Sequence, residues 1–382
     1  MKFRDGVRSV VPAVALLLLS QWAAGQTAIL GDTHGGAHVF PNLTFAGSTC
    51  PASVPQTPVT GVGGVPHGVG YYGSDFALIS DFSGSRVFNV QISTSAVLNT
   101  IATGGAGYNG TGSIAVAPNL QYALMIGGGS LVVMQAPFSS PTFTSVALAG
   151  SVAGYQTEAI VFDAASRAYV ATTGGIAVLD PPYTSVLFTI AGARESVAIT
   201  PSGNQLLATG LGGSVQIYTG PFSAATTFVT LPIPGASGLD GITVTPDGNH
   251  ALVVDASVSR IVSIVAPYSA TSALEVIPLL AGTGGLEDIS VSADGNYAAG
   301  TGQAGPAMPL IKGPFTAAGA TVCEVPIVGG RGAGAVRFLP TNLQPPLGPS
   351  VQVVPTLSEW GYVVLAMLLA LAALAGLRRR IR

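Results

Sequence analysis

The chain has 382 residues, 8% of them charged and 48% hydrophobic, with 51 glycines and 27 prolines. So few charges exclude disorder of the highly charged kind, and the apolar fraction is ample for a core. With the two ends set aside, residues 26–350 hold fifteen acidic and seven basic side chains, a net charge of about −8. That balance argues against nucleic acid and against an anionic membrane surface, because both need clustered Lys and Arg.

Residues 1–25 read as a secretory signal peptide. Lys2, Arg4 and Arg8 make a positive start, residues 10–19 an apolar stretch, and Ala23-Ala24-Gly25 a small-residue cleavage site. Residues 26–65 follow as short apolar pieces separated by Gly, Pro, Thr and Asn.

From about residue 65 to residue 340 the chain repeats itself. The unit is an apolar strand, a turn and a second strand. It reads 113–118 with 122–126, 159–163 with 168–171, 196–201 with 205–209, 241–246 with 250–254, and 288–293 with 297–300. A weaker copy is 68–72 with 76–80, and a last strand at 335–340 has no partner after it. The turns Ser202-Gly203-Asn204, Asp247-Gly248-Asn249 and Asp294-Gly295-Asn296 are hairpin chemistry, since Gly and Asn tolerate positive φ. A second marker keeps the same step of about 38–47 residues. It is a Pro-aromatic-hydroxyl triplet: Pro137-Phe138-Ser139, Pro182-Tyr183-Thr184, Pro221-Phe222-Ser223, Pro267-Tyr268-Ser269 and Pro314-Phe315-Thr316.

Four short strands per unit, rich in Val, Ile, Thr and Gly, predict an all-β fold, a β-propeller of four-stranded blades. Six units are complete. The lone strand at 335–339 needs cover for its edge, and residues 26–65 hold enough strand to complete that blade from the other end of the chain. The expectation is therefore seven blades over 26–340, with six blades as the alternative. Segments 245–253 and 292–299 carry Thr245-Pro246-Asp247-Gly248 and Ser292-Ala293-Asp294-Gly295. They are similar to the Ser-Pro-Asp-Gly repeats of the YVTN/lactonase-like propeller superfamily, a resemblance that implies fold.

Cys50 and Cys323 are the two cysteines. In an exported chain they read either as one disulfide, tying the N-terminal segment to a neighbouring blade, or as two buried thiols. The four histidines, His34, His38, His67 and His250, lack metal-type spacing beyond the loose His34/His38 pair, and read as surface or turn residues. The acids are more suggestive. Glu195, Asp240 and Glu287 stand in one register just before an inner strand, with Glu158 and Asp288 one residue later. In a propeller that register lies at one mouth of the central channel. The five carboxylates could bind Ca²⁺, form an acid/base pair, or simply cap turns and pair with neighbours such as Arg194.

Residues 341–353 are a Pro-rich, semi-rigid linker. After it come Val354-Pro355-Thr356-Leu357-Ser358-Glu359-Trp360-Gly361, an apolar run at 362–377, and Arg378-Arg379-Arg380-Ile381-Arg382. The run of about sixteen residues predicts a transmembrane helix, with the terminal arginines cytoplasmic and everything upstream outside. Residues 354–382 resemble the IPTL-CTERM sorting signal, whose motif is Ile-Pro-Thr-Leu-x-x-Trp-Gly. Val354 stands for the first Ile, and Pro355, Thr356, Leu357, Trp360 and Gly361 match. The resemblance implies export, transient anchoring, cleavage by an exosortase-type membrane protease and transfer to the cell surface. The functional expectation is a surface-displayed binding or structural propeller whose ligand is a glycan or a protein. The alternative is an exported, metal-dependent hydrolase or lactonase of the propeller type.

Overall fold

The structure, a computed structural model, describes residues 26–340 apart from 33–34, 104–112, 128–129, 151–158, 193–194, 211, 281–284, 303–304 and 330–331. The signal peptide, the linker 341–353, the sorting motif and the expected helix 362–377 lie outside the described residues, as do His34, Glu158 and Arg194. No helix among the described residues is long and apolar enough to cross a membrane.

The chain folds into seven four-stranded antiparallel sheets. Numbered along the chain, the inner strands of blades 1 to 6 are Pro66–Tyr71, Ile114–Val116, Ile160–Phe162, Ser196–Ile199, Leu239–Val244 and Leu286–Val291. In each of these blades the next three strands follow in order outward. Blade 7 is assembled from both ends of the chain. Its inner strand is Ala333–Phe338, and Ala28–Asp32, Gly36–Phe40 and Thr57–Pro58 complete it. Ile29 pairs with Arg337 and Leu30 with Val336, so the closing seam is an antiparallel ladder, with a register shift between Gly31 and Asp32.

The burial pattern explains why these residues form these strands. Second and third strands, such as Gln205–Thr209 and Arg260–Val265, are almost wholly buried, whereas outer strands such as Phe228–Pro232 are largely exposed. A strand with a sheet packed on both faces must be apolar on both, which favours β-branched and small residues over strict alternation.

The Pro-aromatic triplets sit in the seams between blades. Phe138 packs edge-on against Tyr72 of the preceding blade, with ring centroids 4.8 Å apart. Tyr183 does the same to Tyr122 at 5.3 Å, and Phe222 to Tyr169 at 5.5 Å. Phe315 meets His250 at 6.3 Å. Blade 7 has no such triplet, and Phe45 takes the place of one against Tyr297, with the Tyr297 hydroxyl donating to the Phe45 carbonyl at 2.9 Å. All five triplets contain a cis peptide bond before the proline.

Cys50 and Cys323 form a disulfide, with Cα atoms 5.3 Å apart across 273 residues of sequence. It joins the loop between the second and third N-terminal strands of blade 7 to the outer strand of blade 6. The same loop buries Leu43, Phe45 and Val54 against Tyr297, Met308 and Val325. It also places the Gln56 amide on the Pro326 carbonyl at 2.8 Å.

Candidate functional site

The backbone sets one register around the mouth where the inner strands begin. At the end of each inner strand an N–H donates to the carbonyl that opens the next strand. The pairs are Tyr72 to Phe76, Ala117 to Tyr122, Asp163 to Arg167, Thr200 to Gln205, Thr245 to His250, Ser292 to Tyr297 and Leu339 to Thr27, at 2.7 to 3.1 Å. Counting back five residues in the sequence from each donor gives His67, Gly112, Glu158, Glu195, Asp240, Glu287 and Gly334. Glu195, Asp240 and Glu287 fall at this count in blades 4 to 6, although the ladders of blades 5 and 6 carry a bulge there and that of blade 4 does not. Asp288 follows Glu287 by one residue, and Glu158 lies outside the described residues.

Each acid has its own surroundings. Glu195 is half-buried, and that burial pushes its carboxyl above the usual carboxylate range. Asp240 is half-buried, and its backbone carbonyl accepts the Thr209 hydroxyl of the preceding blade at 2.8 Å. Glu287 lies 3.9 Å from Nε2 of His67, although the two belong to blades 6 and 1. They meet across blade 7 because Gly334 has no side chain there. A Cβ at Gly334 would stand 3.0 Å from Cα and Cδ2 of His67.

His67 is not at the surface. It is fully buried against Phe82, and burial lowers its pKa to about 4, with the nearby Asp288 charge acting in the opposite sense. His38 is also buried. The short Gly-rich spacing around both histidines reads as turn, but their neighbours in the strands are small enough to let the rings fold inward.

Asp288 has a different task from the mouth acids. It is completely buried and accepts from the N–H of Ile289 at 2.9 Å, the N–H of Val336 at 3.1 Å and the Arg337 guanidinium at 2.5 Å. It therefore binds blade 6 to the inner strand of blade 7. On the opposite side Tyr71 of blade 1 accepts from the Ile29 N–H at 3.0 Å and donates to the Arg337 carbonyl at 2.7 Å. The strand Ala333–Phe338 is pinned from both flanks.

The sequence reading missed a second polar device on this side of the ring. Asp81 and Asp255, both fully buried, end the second strands of blades 1 and 5. Each pairs with the arginine five residues on, Arg86 at 2.6 Å and Arg260 at 2.9 Å. Each also accepts the hydroxyl two residues on, from Ser83 at 2.8 Å and Ser257 at 2.5 Å. Burial alone would raise the Asp81 carboxyl. The N–H groups of Val65 and Ser83, with Arg86 and the Ser83 hydroxyl, outweigh it and hold the group below its ordinary range. The signal was present in the sequence as Asp81-x-Ser83-x-Ser85-Arg86 and Asp255-x-Ser257-x-Ser259-Arg260.

Among the described residues no three His, Cys, Asp or Glu side chains stand close enough to share a metal ion. Calcium wants six to eight oxygens. The mouth acids supply negative potential in this arrangement, and Asp288 supplies a structural ion pair.

Comparison with known proteins places this geometry. No curated protein matches the chain in sequence. Among solved structures the chain is similar to the periplasmic gluconolactonase of Pseudomonas aeruginosa. The identity is 12%, the TM-score 0.62, and the match covers 82% of this chain and 98% of that one. It is also similar to a putative 6-phosphogluconolactonase of Bacteroides fragilis, at 11% identity and TM-score 0.63, covering 84% of this chain and 99% of that one. Kuenenia stuttgartiensis hydrazine synthase matches at 17% identity and TM-score 0.59, over 72% of this chain and 90% of that one. Identities this low show the fold alone. Residues 352–380 match the IPTL-CTERM motif, and the described residues upstream of it form a seven-bladed β-propeller similar in fold to these structures.

Proposed function

We propose that the protein is exported and held in the membrane by a helix at 362–377. In this reading an exosortase-type membrane protease processes it at the sorting motif, and the propeller is displayed at the cell surface to bind a glycan or a protein. The observation that carries the reading is the IPTL-CTERM match at 352–380 behind a propeller body. Val354, Pro355, Thr356, Leu357, Trp360 and Gly361 form the recognition segment, joined to the propeller by the Pro-rich residues 341–353. The membrane helix and terminal arginines then act as a stop that keeps the body outside.

The test is fractionation of the native host expressing the full chain and a Pro355→Ala/Trp360→Ala variant. The unaltered chain is expected at the surface, shortened by the tail. The variant is expected to accumulate unshortened in the membrane. Identical distribution and size of the two would refute the reading.

A second reading has its own support in two observations. Two structural neighbours are named gluconolactonases, and Glu195, Asp240 and Glu287 stand at or just before the start of the inner strands of three adjacent blades. It makes the protein a metal-dependent hydrolase acting on lactones, with Ca²⁺ at the mouth. A saturable, Ca²⁺-dependent rise in Tm that Glu195→Ala and Asp240→Ala abolish is the expected outcome, since a ligand bound only by the native state stabilises it. A Tm indifferent to Ca²⁺ removes this second reading.

A further inference from the structure

The other end of the channel differs in character from the acidic mouth. Two cavities of about 390 and 360 Å³ adjoin there and share Pro118, Ile160 and Arg337 in their walls. Each falls in the range of about 300–1,000 Å³ that small-molecule sites occupy. The walls come from the downstream halves of the inner strands. Val116, Phe162, Ile199, Val244 and Val291, one from each of five consecutive blades, line them. All five side chains are partly exposed, although each also packs on its blade core. Thr243 and Ser290 add hydroxyls to the wall of the first cavity, so this end of the bore is mainly apolar with a few polar groups.

Arg337 is the one charged side chain lining either cavity. It is 21% exposed, and its Nη1 is fixed by Asp288 at 2.5 Å and by the Val336 carbonyl at 2.7 Å. A guanidinium carries five N–H donors in a rigid fork, and held in this way it keeps one orientation. An acceptor meeting it encounters a preorganised donor in a low-dielectric wall, where a charge-assisted hydrogen bond is strongest. Asp288 balances the Arg337 charge, so what the guanidinium offers an acceptor is its remaining N–H donors, while Glu195, Asp240 and Glu287 precede the cavity-lining residues of their own strands.

We propose that this end of the bore binds a small amphipathic carboxylate, its apolar body between Phe162, Ile199 and Val244 and its carboxylate on Arg337. The inference rests on the binding-module reading above and gives it a ligand class.

The experiment titrates the full chain in lipid nanodiscs, by calorimetry and against empty nanodiscs, with three probes of one shape. They are 3-phenylpropionate, 3-phenylpropanol and 3-phenylpropylammonium. The expected result is saturable binding of the carboxylate, tighter than the alcohol by at least about tenfold, and weaker binding still of the ammonium. Val244→Phe, which fills the bore and leaves the ion pair alone, is expected to weaken the carboxylate by about tenfold. Asp288→Asn/Arg337→Met, which leaves no lone buried charge, is expected to abolish the preference for the carboxylate over the alcohol. If that double variant does not fold, the ranking of the three probes on the unaltered chain decides. Equal affinities, no saturable binding, or binding unaffected by Val244→Phe would overturn the inference. A displayed chain that ignores the carboxylate overturns this inference alone. A chain that binds the carboxylate but is not displayed overturns the display reading.

Discussion

At the scale of single residues, His67 is the most informative side chain at the mouth. An imidazole buried as neutral must be desolvated further to take a proton, which is why its pKa falls from 6.5 to about 4. The unfolded chain therefore binds a proton at higher pH than the folded one. Stability is intact above about pH 6.5 and is lost as the pH drops toward 4, by about 3 kcal/mol if His67 acts alone. Glu195 has the opposite sign. Its raised pKa means the folded state prefers the protonated form, so its contribution improves as pH falls through the ordinary carboxylate range and partly offsets the histidine. Thermal melts between pH 7 and pH 4 are expected to show falling Tm, and His67→Gln is expected to flatten that slope. An unchanged slope in the variant would place the acid sensitivity elsewhere.

Asp288 and Arg337 make a second residue-scale test. Asp288→Ala removes the partner of a largely buried arginine and of the Val336 N–H, and is expected to cost about 3 kcal/mol in chemical denaturation. Asp288→Asn/Arg337→Met is expected to cost less than Asp288→Ala, because no charge is left alone. Were the double variant the weaker of the two, the pair would not be a coupled unit.

At the scale of elements, most of the fold was legible and much of the mouth was not. The Asp-Gly-Asn turns announce hairpins because positive φ is needed at Gly248 and Gly295, with values of 73° and 72°. The Pro-aromatic triplets mark the end of the third strand in five of the seven blades, where the aromatic ring fills the seam to the neighbouring blade. Local chemistry of this kind is written in consecutive residues. The mouth is written differently. The common spacing of Glu195, Asp240 and Glu287 in the sequence was legible, because it needs only counting within one repeat. The partnership of Asp288 with Arg337 was not, since 49 residues and a blade boundary separate them. Nor was the approach of His67 to Glu287, which depends on a missing side chain at Gly334. The Asp-x-Ser-x-Ser-Arg turns could have been found, as both copies stand intact in the sequence. They were hidden because only two of seven blades carry them, and a motif in two blades does not announce itself as a repeat.

At the scale of the whole molecule the ring is fastened where its two ends meet. Hydrogen-bonded pairing of Ala28–Asp32 with Ala333–Phe338, the Asp288–Arg337 ion pair and the Cys50–Cys323 disulfide all lie at or beside the closing blade. A cross-link spanning 273 residues restricts the unfolded chain strongly, and disulfides of this kind contribute about 2–4 kcal/mol. Cys50→Ser/Cys323→Ser, or a reducing agent, is expected to lower Tm and to raise protease sensitivity first around residues 41–56. Cleavage appearing first in blades 3 or 4 would show that the closure is not the weak point.

The shared blade also sets a schedule. Strands made first, Ala28–Asp32 and Gly36–Phe40, belong to a sheet whose inner strand is made last, so they must wait for almost the whole chain before they can pair fully. Blades 1 to 6 are contiguous and can form as the chain emerges, whereas the ring itself cannot close until Phe338 arrives. A chain truncated before that point keeps an open seam and an unpaired strand edge, the kind of surface that invites aggregation and proteolysis. Because the sorting signal at 352–380 lies just downstream of the closing strand, only a chain long enough to complete the ring carries the signal. A chain cut short of the ring therefore also lacks the segment on which the proposed sorting depends.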